Sequence, residues 1–186
     1  MSISEIYTTH EDKMKKALDG LHKEMATIRA GRATPSILDK VMVDYYGTPS
    51  PISQVASISV PEPRMIVIQP WEKTMLTQIE KAILKSDLGL MPNSDGIIIR
   101  LSIPQLTQER RSELVKVLHK KVEDGRVVIR NIRRDANDQL KKLEKDRTIS
   151  EDELKKAQED MQKLTDRYIK TVDQSASAKE LEIMEV

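Results

Sequence analysis

The residues best suited to chemistry in this chain are arginines. Arg126, Arg130, Arg133 and Arg134 would share an arc of about 100° on a helix, at the usual advance per residue. No acidic residue lies between Arg126 and Arg134; Glu123 is within helical reach of Arg126, and Asp138 of Arg134. Guanidiniums facing one way suit phosphate, because each makes paired, charge-assisted hydrogen bonds and stays ionised. A solvated helix face with intrahelical pairs is the plainer alternative, and spacing alone leaves it open. The chain has no phenylalanine, one tryptophan and four tyrosines, so stacking platforms for single-stranded bases are missing. Backbone and shape recognition of structured RNA is therefore the expected mode.

Other chemistry finds little footing. His10, His22 and His119 are dispersed, without carboxylates at metal-ligand spacing, and are expected on solvated helix surfaces. No glycine loop could cradle a phosphate, and no nucleophile stands near a base. The acids Glu151, Asp152 and Glu153 suit a helix N-terminus, where the macrodipole favours negative charge. Asp44, Tyr45, Tyr46 and Arg64 are the only candidates for a small-molecule site, and they read as strand and turn residues. The expectation is a protein that is not an enzyme, with no metal and no cofactor. The chain has no cysteine, which fits a reducing compartment. It has no apolar run near the ~20 residues of a membrane span, and its first residues do not form a signal peptide. A soluble, cytoplasmic, monomeric protein without a membrane partner is expected.

The arginines need a rigid support. Leu106 to Lys145 contains no proline and carries Val115, Leu118, Val122, Ile129, Ile132, Ala136 and Leu143 at alternating three- and four-residue steps, with Gly125 in the one small position. That repeat belongs to a helix pressed along partner helices; at about 1.5 Å per residue it would be roughly 60 Å long. Ser2 and Glu5 match a capping box for a first helix with Met14, Leu18, Leu21, Met25 and Ile28 on its seam, stopping near Ala30-Gly31. Ser150 and Glu153 match another, opening a last helix with Leu154, Ala157, Met161, Leu164, Tyr168 and Val172, fraying beyond Ser175.

Between the first two helices the composition changes. Thr34 to Pro104 holds all eight prolines. Lys40–Tyr46, Val55–Val60, Arg64–Gln69 and Ile97–Ser102 read as strands, Glu72–Asp87 as a helix, and Asn93–Gly96 as a turn. The net charge of +1 hides a division: Leu106 to Arg147 has thirteen basic and eight acidic residues, whereas Thr148 to Val186 has six and ten. The fold class expected is α+β, an elongated antiparallel three-helix bundle (1–31 and 105–186) with a small inserted β/α/β domain (32–104). Two short crossings, with Gly31, Arg32, Ala33, Pro104 and Gln105, would form a hinge where the molecule bends.

Several strings resemble the ribosome recycling factor family: IRAGRATPSIL (28–38), VDYYGTP (43–49), KAILKSDLGLMPN (81–93), LTQERRSELVK with Arg110-Arg111, IRNIRRDAND (129–138), and ISEDE and QKLTDRYI in the last helix. The resemblance runs nearly the whole chain in the family's order. It implies an L-shaped, tRNA-like outline and a translation factor acting on ribosomes that still hold mRNA and tRNA after peptide release. It further implies that the bundle touches rRNA of the large subunit. Elongation factor G with GTP then drives the inserted domain so that the subunits separate, and the partner hydrolyses the GTP. Matched position by position, the rRNA contacts fall on Arg29, Arg32, Arg110, Arg130 and Arg133, beside Arg126 and Arg134 from the helix face, with Gly31 at the hinge. Gly125 stands where the family suggests alanine, which allows close helix approach and local bending. A helical RNA chaperone remains an alternative, as does a small-molecule enzyme built in the inserted domain.

Overall fold

The computed structural model describes residues 1–28 and 31–185. In chain order the elements are α1 (Ile3–Ala26), β1 (Met42–Tyr45), β2 (Thr48–Pro51), the single turn α2 (Ile52–Val55), β3 (Ala56–Glu62), β4 (Met65–Pro70), α3 (Leu76–Lys85), β5 (Pro92–Ser94), β6 (Ile99–Ser102), α4 (Gln108–Lys145) and α5 (Glu151–Met184). They divide into two compact units: Met1–Ala30 with Thr107–Val186, and Gly31–Leu106. The first boundary lies one residue before, and the second two residues beyond, the sequence-based ones. A Cβ at Gly31 would sit 3.1 Å from Leu106 Cγ, so these two ends belong with the small unit.

In the helical unit, α1 and α5 both run antiparallel to α4: Lys13 meets Asp135 and Glu24 meets Lys121 on the α1 side, and Arg126 meets Asp173 and Arg133 meets Gln162 on the α5 side. The capping boxes at Ser2 and Ser150 are formed, and the Thr107 side chain caps α4 by accepting from the Arg110 amide. Between α4 and α5 the chain reverses through Arg147, whose φ is 60°. Arg147 N–H donates to Glu144 O and Thr148 N–H to Leu143 O, both at 2.8 Å, which satisfies the last carbonyls of α4.

The α4 seam is Leu114, Leu118, Val122, Ile129, Ala136 and Leu140, all buried. Leu118, Val122, Ile129 and Ala136 are where the repeat puts them, but Val115, Ile132 and Leu143 are half-buried, and Leu114 and Leu140 replace two of them. A straight helix drifts about 20° per heptad from a 3.5-residue repeat, so over 38 residues the buried stripe crosses to neighbouring positions. The α1 helix ends at Ala26 with Thr27 as its cap, earlier than expected, and the α5 helix runs to Met184 with Ala176 and Ile183 buried, so it does not fray at Ser175. The four-residue spacing of Val172 and Ala176 carries the apolar stripe past the polar residues.

The small unit holds a four-stranded antiparallel sheet, β3-β4-β6-β5, and a separate hairpin, β1-β2. Register pairs Ile66 with Leu101 and Ile68 with Ile99, so all four side chains emerge on one face. That face is buried with Ile79 and Ile83 of α3, Val43 of β1, and Ile52 and Val55. The sequence reading lacks β2 and β5 because Pro49, Pro51 and Pro92 argue against strands; both are edge strands, where a missing N–H is tolerated. The β1-β2 turn places Tyr46 at φ 49° and Gly47 at φ 83°, the conformation a tight hairpin demands.

Gly125 marks a close approach of α4 to α1. A Cβ there would lie 2.8 Å from Leu21 Cδ2 on α1. Gly125→Leu is expected to lower stability by about 1–3 kcal/mol through overpacking, measured by urea denaturation. In a Leu21→Ala background the same change should cost less, because the two side chains compete for one space.

Candidate nucleic-acid interface

The buried stripe of α4 fixes where its arginines point. Arg126 and Arg133 flank the seam on the side of α5, and Arg130 and Arg134 turn further outward; accordingly the first two are half-buried and the last two exposed. Arg126 donates from Nε and Nη2 to Asp173 Oδ1 of α5, at 2.9 and 2.6 Å, and from Nη1 to Glu123 Oε2 at 3.1 Å. Asp173, then Glu123, raises the Arg126 pKa further. Arg133 Nη1 donates to Gln162 Oε1 at 2.6 Å, and Gln162 Nε2 in turn donates to Asp166 Oδ1 at 2.8 Å. The Arg133 Nε and Asn137 Oδ1 atoms are buried without partners. Arg130 Nη1 donates to Glu123 Oε1 at 3.2 Å, and Arg134 Nη1 to Asn131 Oδ1 at 3.4 Å.

Four of the seven expected phosphate contacts are thus brought onto one stretch of α4. Arg110, in the first turn, pairs with Glu113 at 2.9 Å and lies roughly 24 Å up the helix axis from Arg126. Arg32 belongs to the small unit and is exposed. Arg29 lies outside the described residues. Spacing within one helix identified Glu123 but not Asp173 or Gln162, which come from α5. It also paired Arg134 with Asp138, whereas Arg134 meets Asn131.

The acid inside the arginine motif serves a different face. Asp135 Oδ2 accepts from His10 Nε2 of α1 at 2.9 Å and from Lys13 Nζ at 3.1 Å. His10 is 0% exposed, and its Nδ1 lies 2.6 Å from Ile6 O. It is therefore no surface histidine: it continues the α1 stripe of Ile6, Met14, Leu21 and Met25, where an imidazole is accepted because its Nε2–H reaches the Asp135 carboxylate. His22 and His119 are exposed, paired with Ser175 at 2.9 Å and Glu180 at 3.0 Å. The hydrogen bond from His10, then that from Lys13, holds the Asp135 carboxyl below its ordinary range. Since α1 occupies this carboxylate, it does not neutralise Arg133 or Arg134.

In the small unit, Asp44 Oδ1 accepts from the Gly47 amide at 2.8 Å, closing the hairpin turn. Tyr45 and Tyr46 donate to the two oxygens of Glu72, at 2.9 and 2.7 Å. The Tyr46 and then the Tyr45 hydrogen bond lowers the Glu72 pKa, and Glu72 raises both phenols in return. Arg64 sits in the β3-β4 turn, where its carbonyl accepts from the Ile103 amide at 2.8 Å. A surface hollow of about 700 Å³ lies elsewhere, lined by Ile3, Ile6, Tyr7, Leu140, Met161 and Leu164 among others, and none of the arginine row borders it. Among the described residues no helix is long and apolar enough to cross a membrane.

Comparison with known proteins adds to this geometry. The family described as Ribosome recycling factor matches residues 21–184. The Ribosome-recycling factor of Desulforamulus reducens is 60% identical over 184 residues, 99% of this chain and 100% of that protein. That of Heliobacterium modesticaldum is 62% identical, with the same coverage. A solution structure of the ribosome recycling factor superposes with a TM-score of 0.74 at 44% identity, covering 100% of this chain and 99% of that one. A second similar structure comes from models for the T. thermophilus ribosome recycling factor and the E. coli elongation factor G bound to the E. coli post-termination complex. Its TM-score is 0.63 at 46% identity, over 98% of this chain and 99% of that one.

Asp135→Ala is expected to cost about 1–3 kcal/mol at neutral pH, because it strips the buried His10 Nε2 of its acceptor. With the folded carboxyl depressed, the contribution is present above its unfolded value of about 3.9 and is lost as pH falls through the folded one. Urea midpoints of wild type and variant should therefore converge below about pH 4.

Proposed function

The chain belongs to the ribosome recycling factor family, and from that premise we propose that it ends each round of translation in the cytoplasm as a monomer. With elongation factor G and GTP it splits the post-termination ribosome into subunits and frees mRNA and tRNA. The helical unit is the part that seats on large-subunit rRNA, through Arg29, Arg110, Arg130, Arg133 and Arg134, joined by Arg32 of the small unit. The observation that carries this is the outward row on α4: Arg130 and Arg134 are exposed on a helix of 38 residues and, among the described residues, are tied to side chains of that helix.

The chain performs no bond chemistry in this reading; GTP hydrolysis belongs to the partner. Its role is mechanical. A bundle seated by several arginines on phosphate resists sliding, and the small unit receives the push. Movement is concentrated at Gly31-Arg32 and Pro104–Leu106. Ala33 falls outside the pivot, because its amide donates to Pro63 O at 2.7 Å within the small unit. A proline at Ala33 would therefore delete a hydrogen bond as well as stiffen the chain, which makes it a poor lock.

Arg130→Gln and Arg134→Gln should each weaken binding to the large subunit and lower the slope of log K against log salt by about 1, with far-UV helicity unchanged. Slopes identical to wild type would remove these residues from the interface. Gly31→Val combines a left-handed φ of 74° with contact against Leu106. It should keep large-subunit binding yet reduce splitting with elongation factor G and GTP on the order of tenfold. Undiminished splitting would argue against a working hinge there.

A further inference from the structure

Glu123 stands between two of the arginines. Its Oε2 is 3.1 Å from Arg126 Nη1, and its Oε1 is 3.2 Å from Arg130 Nη1. A carboxylate with one oxygen on each of two guanidiniums resembles a backbone phosphate in charge and in hydrogen-bonding geometry. It is held from behind, since Arg126 is itself fastened to Asp173 of α5 through Nε and Nη2. The order Asp173, Arg126, Glu123, Arg130 leads from the α4-α5 seam to the outer face. Both arginines lower the Glu123 pKa, Arg126 first, so the carboxylate is ionised at neutral pH.

We propose that Glu123 is a built-in competitor for phosphate at Arg130: it occupies the guanidinium in the free protein and yields it when an RNA backbone docks. This rests on the reading that Arg130 meets rRNA. The pair is open to solvent, with side chains 44% and 52% exposed, so it is weak enough to exchange. Arg126 then acts as a positioning residue, aiming the carboxylate without touching RNA. An isolated phosphate must displace Glu123 for one contact. A backbone that also engages Arg133 and Arg134 offsets that loss with further contacts. The device therefore selects a folded RNA seat over scattered anions.

The neighbouring Asp124 is exposed and makes no ion pair among the described residues, which supplies a control of equal charge. Large-subunit binding is measured across salt for the full chain as wild type, Glu123→Gln, Asp124→Asn, and Glu123→Gln combined with Arg130→Gln, with Arg130→Gln alone as reference. Glu123→Gln should tighten binding about two- to fivefold, and Asp124→Asn by less than half as much. In the Arg130→Gln background the Glu123→Gln gain should fall to the Asp124→Asn level. Equal gains from both acids, a Glu123→Gln gain that survives loss of Arg130, or no gain at all would overturn the proposal. A wild type that does not bind the large subunit would overturn the functional reading itself.

Discussion

Burial of one face of α4 is the constraint from which the helical unit follows. An isolated helix of that length would leave Leu114, Leu118, Val122, Ile129, Ala136 and Leu140 in water, at roughly 1.5–3 kcal/mol for each large side chain. Two partner helices, α1 and α5, remove that stripe from solvent. Once they do, little angular freedom remains: residues at the seam's edge must lean toward a partner, and residues opposite must face out. The direction of Arg130 and Arg134 is thus a consequence of where the leucines and isoleucines are. Gly125 lets Leu21 close the gap on the α1 side.

Charge is laid over this frame in two layers. The acid of the IRNIRRDAND motif, Asp135, is turned to α1 and engages His10 and Lys13. On the other border α5 supplies Asp173 and Gln162, which orient Arg126 and Arg133. A polar group in a helix seam is tolerated only where its partner sits opposite, so His10 with Asp135 fixes how far α1 can slide along α4. The helix that carries the basic surplus is consequently gripped by acids at its edges and left with arginines on its crest.

Much of this was legible in the sequence. Both capping boxes, the Thr107 cap and the three helices follow from local spacing, since each depends on residues within a turn of one another. The drift of the seam to Leu114 and Leu140 did not, because a fixed repeat ignores the mismatch between 3.5 and 3.6 residues per turn. The burial of His10 is not legible locally, because its partner is a carboxylate 125 residues away. Asp173 and Gln162 were hidden by the same non-locality, although a signal existed. Folding α4 back onto α5 about the turn at Arg147–Ile149 brings Arg126 opposite Asp173 and Arg133 opposite Gln162 to within three residues. In the small unit, edge strands containing proline defeat composition-based reading, and only pairing with Met42–Tyr45 or Ile99–Ser102 reveals them.

The chain enters and leaves the small unit at one place on the sheet. Ala33 N–H bonds to Pro63 O at 2.7 Å and Ile103 N–H to Arg64 O at 2.8 Å, adjacent residues of a single turn. Tension on either connecting segment therefore enters the domain through neighbouring carbonyls and is shared in parallel, instead of peeling one edge strand after another. Such an anchorage allows the domain to transmit torque as a solid body, keeping deformation in the few residues outside the clamp.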